Sequence, residues 1–148
     1  MDDLSMADEI RPGNFVFYDL MQTIIGSCSP GQVAVAMACP VVAVHTERSE
    51  IVIYGGSTHF SAESIRTASG MTVYGVVVGN GGEGWNGVVK DAYLTRVSQE
   101  HGIVSMPADM IRNYRVGDII KILPVHSCLT ANLMKEYLTT DGRRIARF

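Results

Sequence analysis

The sequence contains few cysteines and no CxxC pair, with three cysteines in 148 residues. An odd number of unpaired thiols in a chain of this length does not fit a disulfide framework. Each cysteine therefore needs its own explanation. Cys28 and Cys39 lie among small and apolar residues, and we interpret both as inert core thiols.

The sequence also lacks an apolar run that could cross a membrane. The longest such run, residues 33–44, contains Pro40 and is shorter than the roughly 20 residues that a bilayer span requires. The amino terminus is acidic, whereas a signal peptide begins with a basic and then an apolar segment. We therefore expect a cytoplasmic protein that does not bind membranes.

Clusters of basic charge are absent as well. The formal net charge is -3, from 12 Lys and Arg against 15 Asp and Glu, and the basic residues are scattered along the chain. This distribution does not fit binding to nucleic acid or to an anionic membrane, so small ligands and protein partners remain. The length predicts a single domain with one core.

The sequence is rich in short β-prone runs separated by turn residues, which predicts a mainly antiparallel β-domain. The predicted strands are residues 15–18, 33–44 with a bulge or break at Pro40, 50–54, 71–78, 93–97, 103–106 and 119–123. Short helices are predicted near residues 110–114 and 131–135, and a hairpin over 137–148 turns at Asp141 and Gly142. Residues 1–8 carry no pattern and are interpreted as a polar linker before the domain, residues 9–148.

Five glycines between residues 79 and 87 resemble a phosphate-binding loop only superficially. The segment lacks the Lys-Ser/Thr of a P-loop, and no helical pattern follows it. We predict a mobile surface loop there. Trp85 lies in this loop, where it either contacts a partner or is simply exposed.

The sharpest chemical motif is His126-Ser127-Cys128, which directly follows a predicted buried strand. On an extended segment, residues two apart point to the same side, so both side chains would reach one ion. Zinc accepts imidazole and thiolate together, whereas magnesium and calcium prefer oxygen ligands. The alternative is a structural histidine beside a small buried thiol. The position at a strand end favours the functional interpretation.

Other polar residues are weaker candidates. His101 follows Glu100, and a carboxylate next to an imidazole can tune a general base. Adjacent strand residues face opposite ways, however, so a plain turn is favoured. His59 follows two glycines and could contact a ligand, whereas His45 begins a charged turn and is interpreted as solvated. Tyr18, with Asp19, ends a predicted strand and could hold a polar ligand. The alternative is a buried ring with its hydroxyl in water.

Five segments along the chain resemble successive blocks of one enzyme family. They are residues 9–19 (EIRPGNFVFYD), 53–56 (IYGG), 98–102 (SQEHG), 116–118 (VGD) and 126–133 (HSCLTANL). In this order they resemble the carboxy-terminal D-serine dehydratase-like domain of the D-threonine aldolase/D-serine dehydratase family. The resemblance covers nearly the whole chain, and the ordered set is more specific than any single block.

The resemblance implies an antiparallel, barrel- or sandwich-like β-domain with a few short helices. In such alanine racemase-type enzymes this domain follows an amino-terminal (β/α)₈ barrel that holds pyridoxal phosphate on a lysine, and residues 9–19 resemble the last barrel strand. By resemblance, His126 and Cys128 would bind zinc, with manganese as the alternative, and Tyr18 would contact the cofactor. The metal would engage the β-hydroxyl of a D-3-hydroxy amino acid, and pyridoxal phosphate would act as the electron sink.

Dehydratases of this family resemble the chain in using His and Cys, whereas the aldolases tend to carry His and a carboxylate. The resemblance therefore favours elimination of water over the alternative, cleavage of the Cα–Cβ bond. The barrel and its lysine are absent, since Lys90, Lys121 and Lys135 match no such motif. We assign no catalytic residue and expect the chain to be inactive by itself.

A non-enzymatic module that binds a metal or a partner is a further alternative. In the family the β-domain packs on a barrel and on a second subunit, which implies a homodimer. A solitary copy is therefore expected to expose an apolar patch and to self-associate.

Overall fold

The computed structural model describes residues 5–11, 13–81 and 84–146. The predicted linker over residues 1–8 and the predicted hairpin over 137–148 each lie partly outside the described residues. The predicted loop near residues 79–87 and the 9–19 block also lie partly outside the described residues, because residues 82–83 and Pro12 are not described.

Six antiparallel strands form a closed barrel in the order β1-β2-β7-β6-β5-β8. The strands are β1 (Met37–His45), β2 (Glu50–Tyr54), β5 (Gly75–Gly81), β6 (Gly84–Val97), β7 (His101–Ser105) and β8 (Ile119–Pro124). β8 closes the barrel because it pairs with β1 through Met37 and Ile122 and with β5 through Val77 and the same Ile122. The prediction of a mainly antiparallel β-domain is confirmed.

Among the described residues, two small sheets and four short helices lie around the barrel. The small sheets pair β3 (Ile65–Arg66) with β4 (Thr72–Val73) and β9 (Glu136–Leu138) with β10 (Arg144–Ala146). The helices are α1 (Leu20–Ile24), α2 (Ser57–Phe60), α3 (Ala108–Ile111) and α4 (Ser127–Leu133). Short 3-10 turns occupy Asn14–Val16, Pro30–Gln32 and Thr46–Arg48. In the described parts of the chain, no helix has the length and apolar character of a membrane span.

Alternating apolar residues fill the barrel and also coat part of its outside. Ile53 and Ile122 belong to the main core cluster, and both are fully buried. Leu123, next to Ile122 on β8, packs instead in a second cluster with Leu20 of α1 and Val33. β8 is therefore covered on both faces from Ile122 to Pro124, which explains the apolar residues in succession at its end.

Pro40 neither breaks β1 nor forms the bulge itself. It lies within the strand opposite Ile119, and the register shift falls just after it, between Val41 and Ala43. The Val41 amide donates to the Asp118 carbonyl, so the neighbour of the proline supplies a hydrogen bond that the proline cannot.

Two predictions for strands and loops are wrong. Residues 15–18 are not a strand, because the Asn14 carbonyl accepts from the amides of Phe17 and Tyr18 and closes a tight turn. The glycine-rich segment is not a loop on either side of residues 82–83, since β5 and β6 extend into it and pair as a hairpin. Trp85 is also held in place: its indole N–H donates to the Val33 carbonyl at 2.6 Å.

Candidate metal-binding site

The His126-Ser127-Cys128 motif lies where β8 ends and α4 begins. His126 has extended backbone and precedes α4, whereas Ser127 and Cys128 form its first turn. The expectation that both side chains share one side of an extended segment is therefore wrong. A helix rotates by about 100° per residue, so backbone geometry alone does not aim the two donors together.

A buried carboxylate fixes the backbone between the two donors. Asp19 is fully buried, and its Oδ2 atom accepts a hydrogen bond from the Ser127 amide at 3.0 Å. Its Oδ1 atom accepts from the Gln22 amide at 3.0 Å and so caps α1. The Asn14 side chain also donates to Asp19. The starts of α1 and α4 are thus held by one side chain.

Thr130 ties α4 to the segment that follows α2. Its hydroxyl lies 3.1 Å from the His126 carbonyl oxygen and 3.4 Å from the Phe60 carbonyl oxygen. Both Thr130 and Phe60 are buried. This contact places the stretch after Phe60 beside His126.

That stretch brings a carboxylate to His126. The Glu63 Oε2 atom lies 3.1 Å from the His126 Nδ1 atom, and neither side chain is fully buried. Cys128 is an exposed free thiol. The Ser127 hydroxyl, between the two donors, is buried and has no hydrogen-bond partner.

The donor set fits a borderline-soft divalent ion in part. An imidazole and a thiol on one helix start are the ligand types that zinc accepts. Within residues 5–11, 13–81 and 84–146, however, no three His, Cys, Asp or Glu side chains form a group that could hold a metal. Further ligands would have to come from water, substrate or another chain.

The other candidate residues, Tyr18, His45, His59 and His101, are held by contacts of their own. Tyr18 is partly buried against the second core cluster and has a positive φ of 52°, a conformation that costs most residues energy. His59 and His101 both pack edge-on against the ring of Tyr54, at 4.9 and 5.9 Å between centroids. His45 lies near Glu47 at the surface, as interpreted from sequence.

Two of the segments that carry the family resemblance lie directly against each other. The Gly55 amide donates to the Glu100 carbonyl at 2.8 Å. A Cβ atom on Gly56 would lie 2.4 Å from the Ser98 carbonyl oxygen, and one on Gly102 would lie 2.6 Å from the Gly55 carbonyl oxygen. The glycines are required by this close backbone approach.

Sequence reasoning missed three residues around the motif. Asp19, Glu63 and Thr130 lie outside the motif and were not predicted to contact it. A carboxylate before an apolar helical turn does signal an amino-terminal cap. Nothing in the sequence indicates that the same carboxylate reaches Ser127, 108 residues away.

The comparison with family sequences gives the identity of the domain. The sequence model of a family described as a putative serine dehydratase domain matches residues 34–140. The chain belongs to this family. The matched part contains the barrel, α4 and the His126-Ser127-Cys128 motif.

Curated relatives of the family are mostly longer proteins. The chain is 30% identical over 147 residues to a D-serine dehydratase of Dictyostelium discoideum, and the match covers 95% of this chain and 36% of that protein. The chain thus spans about a third of the length of such relatives. An uncharacterized protein of Mycobacterium tuberculosis is 28% identical over 121 residues, which are 80% of this chain and 81% of that protein.

Solved structures show the same domain. D-threo-3-hydroxyaspartate dehydratase from Delftia sp. HT23 superposes with a TM-score of 0.74 at 26% identity, over 88% of this chain and 36% of that one. Two variants of that enzyme also match, one with a cysteine replaced by alanine and one with a histidine replaced two positions earlier. The cysteine variant is described as metal-free. The fold is that of the carboxy-terminal domain of alanine racemase-like proteins.

Proposed function

We propose that the chain is the metal-binding carboxy-terminal domain of a pyridoxal-phosphate-dependent lyase that eliminates water from a D-3-hydroxy amino acid such as D-serine. The observation that carries the proposal is the pair of donors, His126 and Cys128, at the start of α4, where Asp19 anchors the Ser127 amide between them. The histidine and cysteine replaced in the Delftia dehydratase have the same spacing.

In this proposal His126 and Cys128 hold one divalent ion, zinc first and manganese as the alternative. When bound, the ion would polarise the substrate hydroxyl as a Lewis acid, and pyridoxal phosphate would supply an electron sink. Asp19 keeps the backbone between the donors in one conformation, because it binds the Ser127 amide. Exposure of Cys128 leaves its sulfur accessible to the ion.

Pyridoxal phosphate would be held mainly by a (β/α)₈ barrel domain. The dehydratase relatives are almost three times as long as the part matched here, which leaves room for such a domain in those proteins. Of the lysines of this chain, Lys121 lies over the ring of Trp85 at 5.7 Å, so its ammonium is engaged elsewhere. Tyr18 is the proposed cofactor contact of this chain. We propose a homodimer as the assembled form, in the cytoplasm.

A second candidate is a non-enzymatic module that binds a metal or a protein partner. It is favoured by the match to most of an uncharacterized mycobacterial protein, because the domain there makes up the larger part of the protein. Aldol cleavage has less support. The matching D-threonine aldolase of Filomicrobium marinum is 21% identical with a TM-score of 0.58, which is evidence of a shared fold only.

Metal content tests the proposal directly. The native chain and a His126→Ala/Cys128→Ser variant would be loaded with zinc and titrated against a chromophoric chelator. A His45→Ala/Cys28→Ser variant is the matched control, since it removes the same side-chain types elsewhere. We expect about one zinc per chain in the native protein and the control, and none in the variant.

Addition of a barrel domain separates the two candidate functions. If zinc binds and a family barrel domain added in trans restores water elimination from a D-3-hydroxy amino acid, the lyase proposal is supported. Zinc binding without any restored activity favours the module. Equal zinc content in the native chain and the His126/Cys128 variant would overturn the proposed site.

A further inference from the structure

We propose that Glu63 is a positioning residue that fixes the tautomer of His126 and leaves its Nε2 atom free to bind the metal. This inference rests on the proposed metal site. The Glu63 Oε2 atom lies 3.1 Å from the His126 Nδ1 atom, although the two residues are 63 positions apart in the sequence.

The chemistry of the contact decides which ring nitrogen carries the proton. An ionised carboxylate only accepts hydrogen bonds, so the His126 Nδ1 atom must be the donor. A neutral imidazole has one protonated nitrogen, and its lone pair then lies on Nε2. Histidines that bind metals are commonly held in this way by a carboxylate on the second nitrogen.

The segment that carries Glu63 is held against α4 by other contacts. The Thr130 hydroxyl bridges the Phe60 and His126 carbonyl oxygens. After Phe60 the chain turns at Ser61, which has a positive φ of 65°, and the Glu63 amide donates to the Ser61 hydroxyl at 3.2 Å. These contacts place Glu63 beside His126, so the position of its carboxylate does not depend on the ion pair alone.

The simpler interpretation is an ordinary surface ion pair. The side chains of His126 and Glu63 are 27% and 45% exposed, and ion pairs this exposed add little to stability. The chain contains a natural comparison: His45 Nδ1 lies 3.5 Å from Glu47 Oε1, with similar exposure of the histidine. His45 ends β1 and Glu47 lies in the surface turn that follows, so this pair serves as a matched control.

The tautomer of His126 can be measured without any metal. Imidazole ¹⁵N NMR would be recorded on the metal-free full chain at alkaline pH, where histidine is neutral. We expect the proton on Nδ1 in the native protein and in a Glu63→Gln variant, whose amide oxygen still accepts. In Glu63→Ala we expect the His126 proton to move largely to Nε2, as in free imidazole side chains. Glu47→Ala should leave the His126 signals unchanged.

Zinc affinity of the same four proteins measures the consequence for the metal site. Loss of the carboxylate in Glu63→Ala is expected to weaken zinc binding by about 10–100-fold, with a smaller loss in Glu63→Gln and none in Glu47→Ala. Equal losses in Glu63→Ala and Glu47→Ala would show a general charge effect and overturn the proposal.

The two measurements distinguish failure of this inference from failure of the proposed function. An unchanged His126 tautomer in Glu63→Ala overturns the positioning role, whether or not zinc binds. An altered tautomer with unchanged zinc affinity overturns the claim that Glu63 strengthens metal binding through His126. If the native chain and the His126/Cys128 variant both bind no zinc, the proposed metal site is overturned. The tautomer measurement alone then shows whether Glu63 acts on His126.

Discussion

The carboxylate of Asp19 joins the helix that it precedes to the Ser127 amide at the start of another helix. Its Oδ1 atom accepts from the Gln22 amide and its Oδ2 atom from the Ser127 amide, both at 3.0 Å. A carboxylate is well suited to both contacts, since free amides at helix starts attract negative charge. Because Ser127 lies between His126 and Cys128, this side chain supports the proposed metal site without touching the ion.

Replacement of Asp19 by Asn should weaken both the fold and zinc binding. The amide would place a donor where Asp19 now accepts from two backbone amides and from Asn14, so at least one buried donor loses its partner. We expect a loss of about 2–3 kcal/mol in the free energy of unfolding, measured by urea denaturation. Chelator competition should show weaker zinc binding as well.

Asp118→Asn is the control for this change. Asp118 is exposed and accepts from the Arg115 amide at 2.7 Å in a single turn. Its replacement should cost at most about 1 kcal/mol. Similar losses in the two variants would contradict a special role of Asp19 in holding two helices.

Gly56→Ala should destabilise the barrel. The new Cβ atom would lie 2.4 Å from the Ser98 carbonyl oxygen and 2.5 Å from that of Gln99, and backbone atoms cannot move aside cheaply. We expect a loss of about 2–4 kcal/mol, measured as a shift in the urea midpoint. Gly31→Ala is the matched control, because nothing lies within 4 Å of a Cβ atom there, and its effect should stay within about 0.5 kcal/mol.

The stability of the chain should fall at alkaline pH because of Cys39. Burial raises the pKa of the Cys39 thiol from 9.0 to about 12. The folded state thus keeps the proton while the unfolded state loses it, so the contribution is complete below pH 9.0 and is lost as pH rises towards about 12. The slope should reach about 1.4 kcal/mol per pH unit within this window.

Urea denaturation across this pH range, on the native chain and Cys39→Ala, isolates the thiol. The variant should lack the Cys39 part of the alkaline decline. Burial and the nearby Asp118 also raise the pKa of Tyr114, but this residue is present in both proteins, and its effect cancels in the difference. Parallel curves for the two proteins would show that Cys39 ionises alike in the folded and unfolded states.

Exposed apolar residues at the ends of α1 and α4 should make the isolated chain self-associate. Ile25, just after α1, is 70% exposed, and Leu133 at the end of α4 is 43% exposed. Light scattering of the native chain should show concentration-dependent association that Ile25→Gln/Leu133→Gln reduces. Val42→Thr/Val88→Thr changes exposed residues of the barrel and should have little effect. A native chain that stays monomeric at all concentrations would argue against an association surface at Ile25 and Leu133.

Period-two patterns allowed most of the barrel to be predicted from the sequence. Residues 50–54 and 119–123 were predicted as strands and match β2 and β8 closely, because their burial follows the alternation or the apolar run. Residues 15–18 have the same β-prone composition but form a turn, because hydrogen bonds from the Phe17 and Tyr18 amides to the Asn14 carbonyl override the local propensity. Closure into a barrel depends on β8 meeting β1, which no local pattern encodes.

The candidate site was predictable only as a motif. His126 and Cys128 stand out by residue type and spacing, but the helix that begins between them was placed too late, at residues 131–135. Its start depends on the Asp19 contact to Ser127, which is a product of the tertiary fold. Glu63 carries no sequence signal at all, since its approach to His126 follows from the Thr130 contact between two distant segments.

The position of β8 in the barrel has a consequence for how the protein is made. Neither neighbour of β8 is its hairpin partner: β1 and β5 both lie far earlier in the chain. During synthesis the other five barrel strands leave the ribosome before β8. β8 then has to pair with β1 on one side and with β5 on the other. The His126-Ser127-Cys128 motif follows β8 directly. The contact between Asp19 and the Ser127 amide therefore forms only after β8 has left the ribosome, so the anchored form of the motif is completed late in folding.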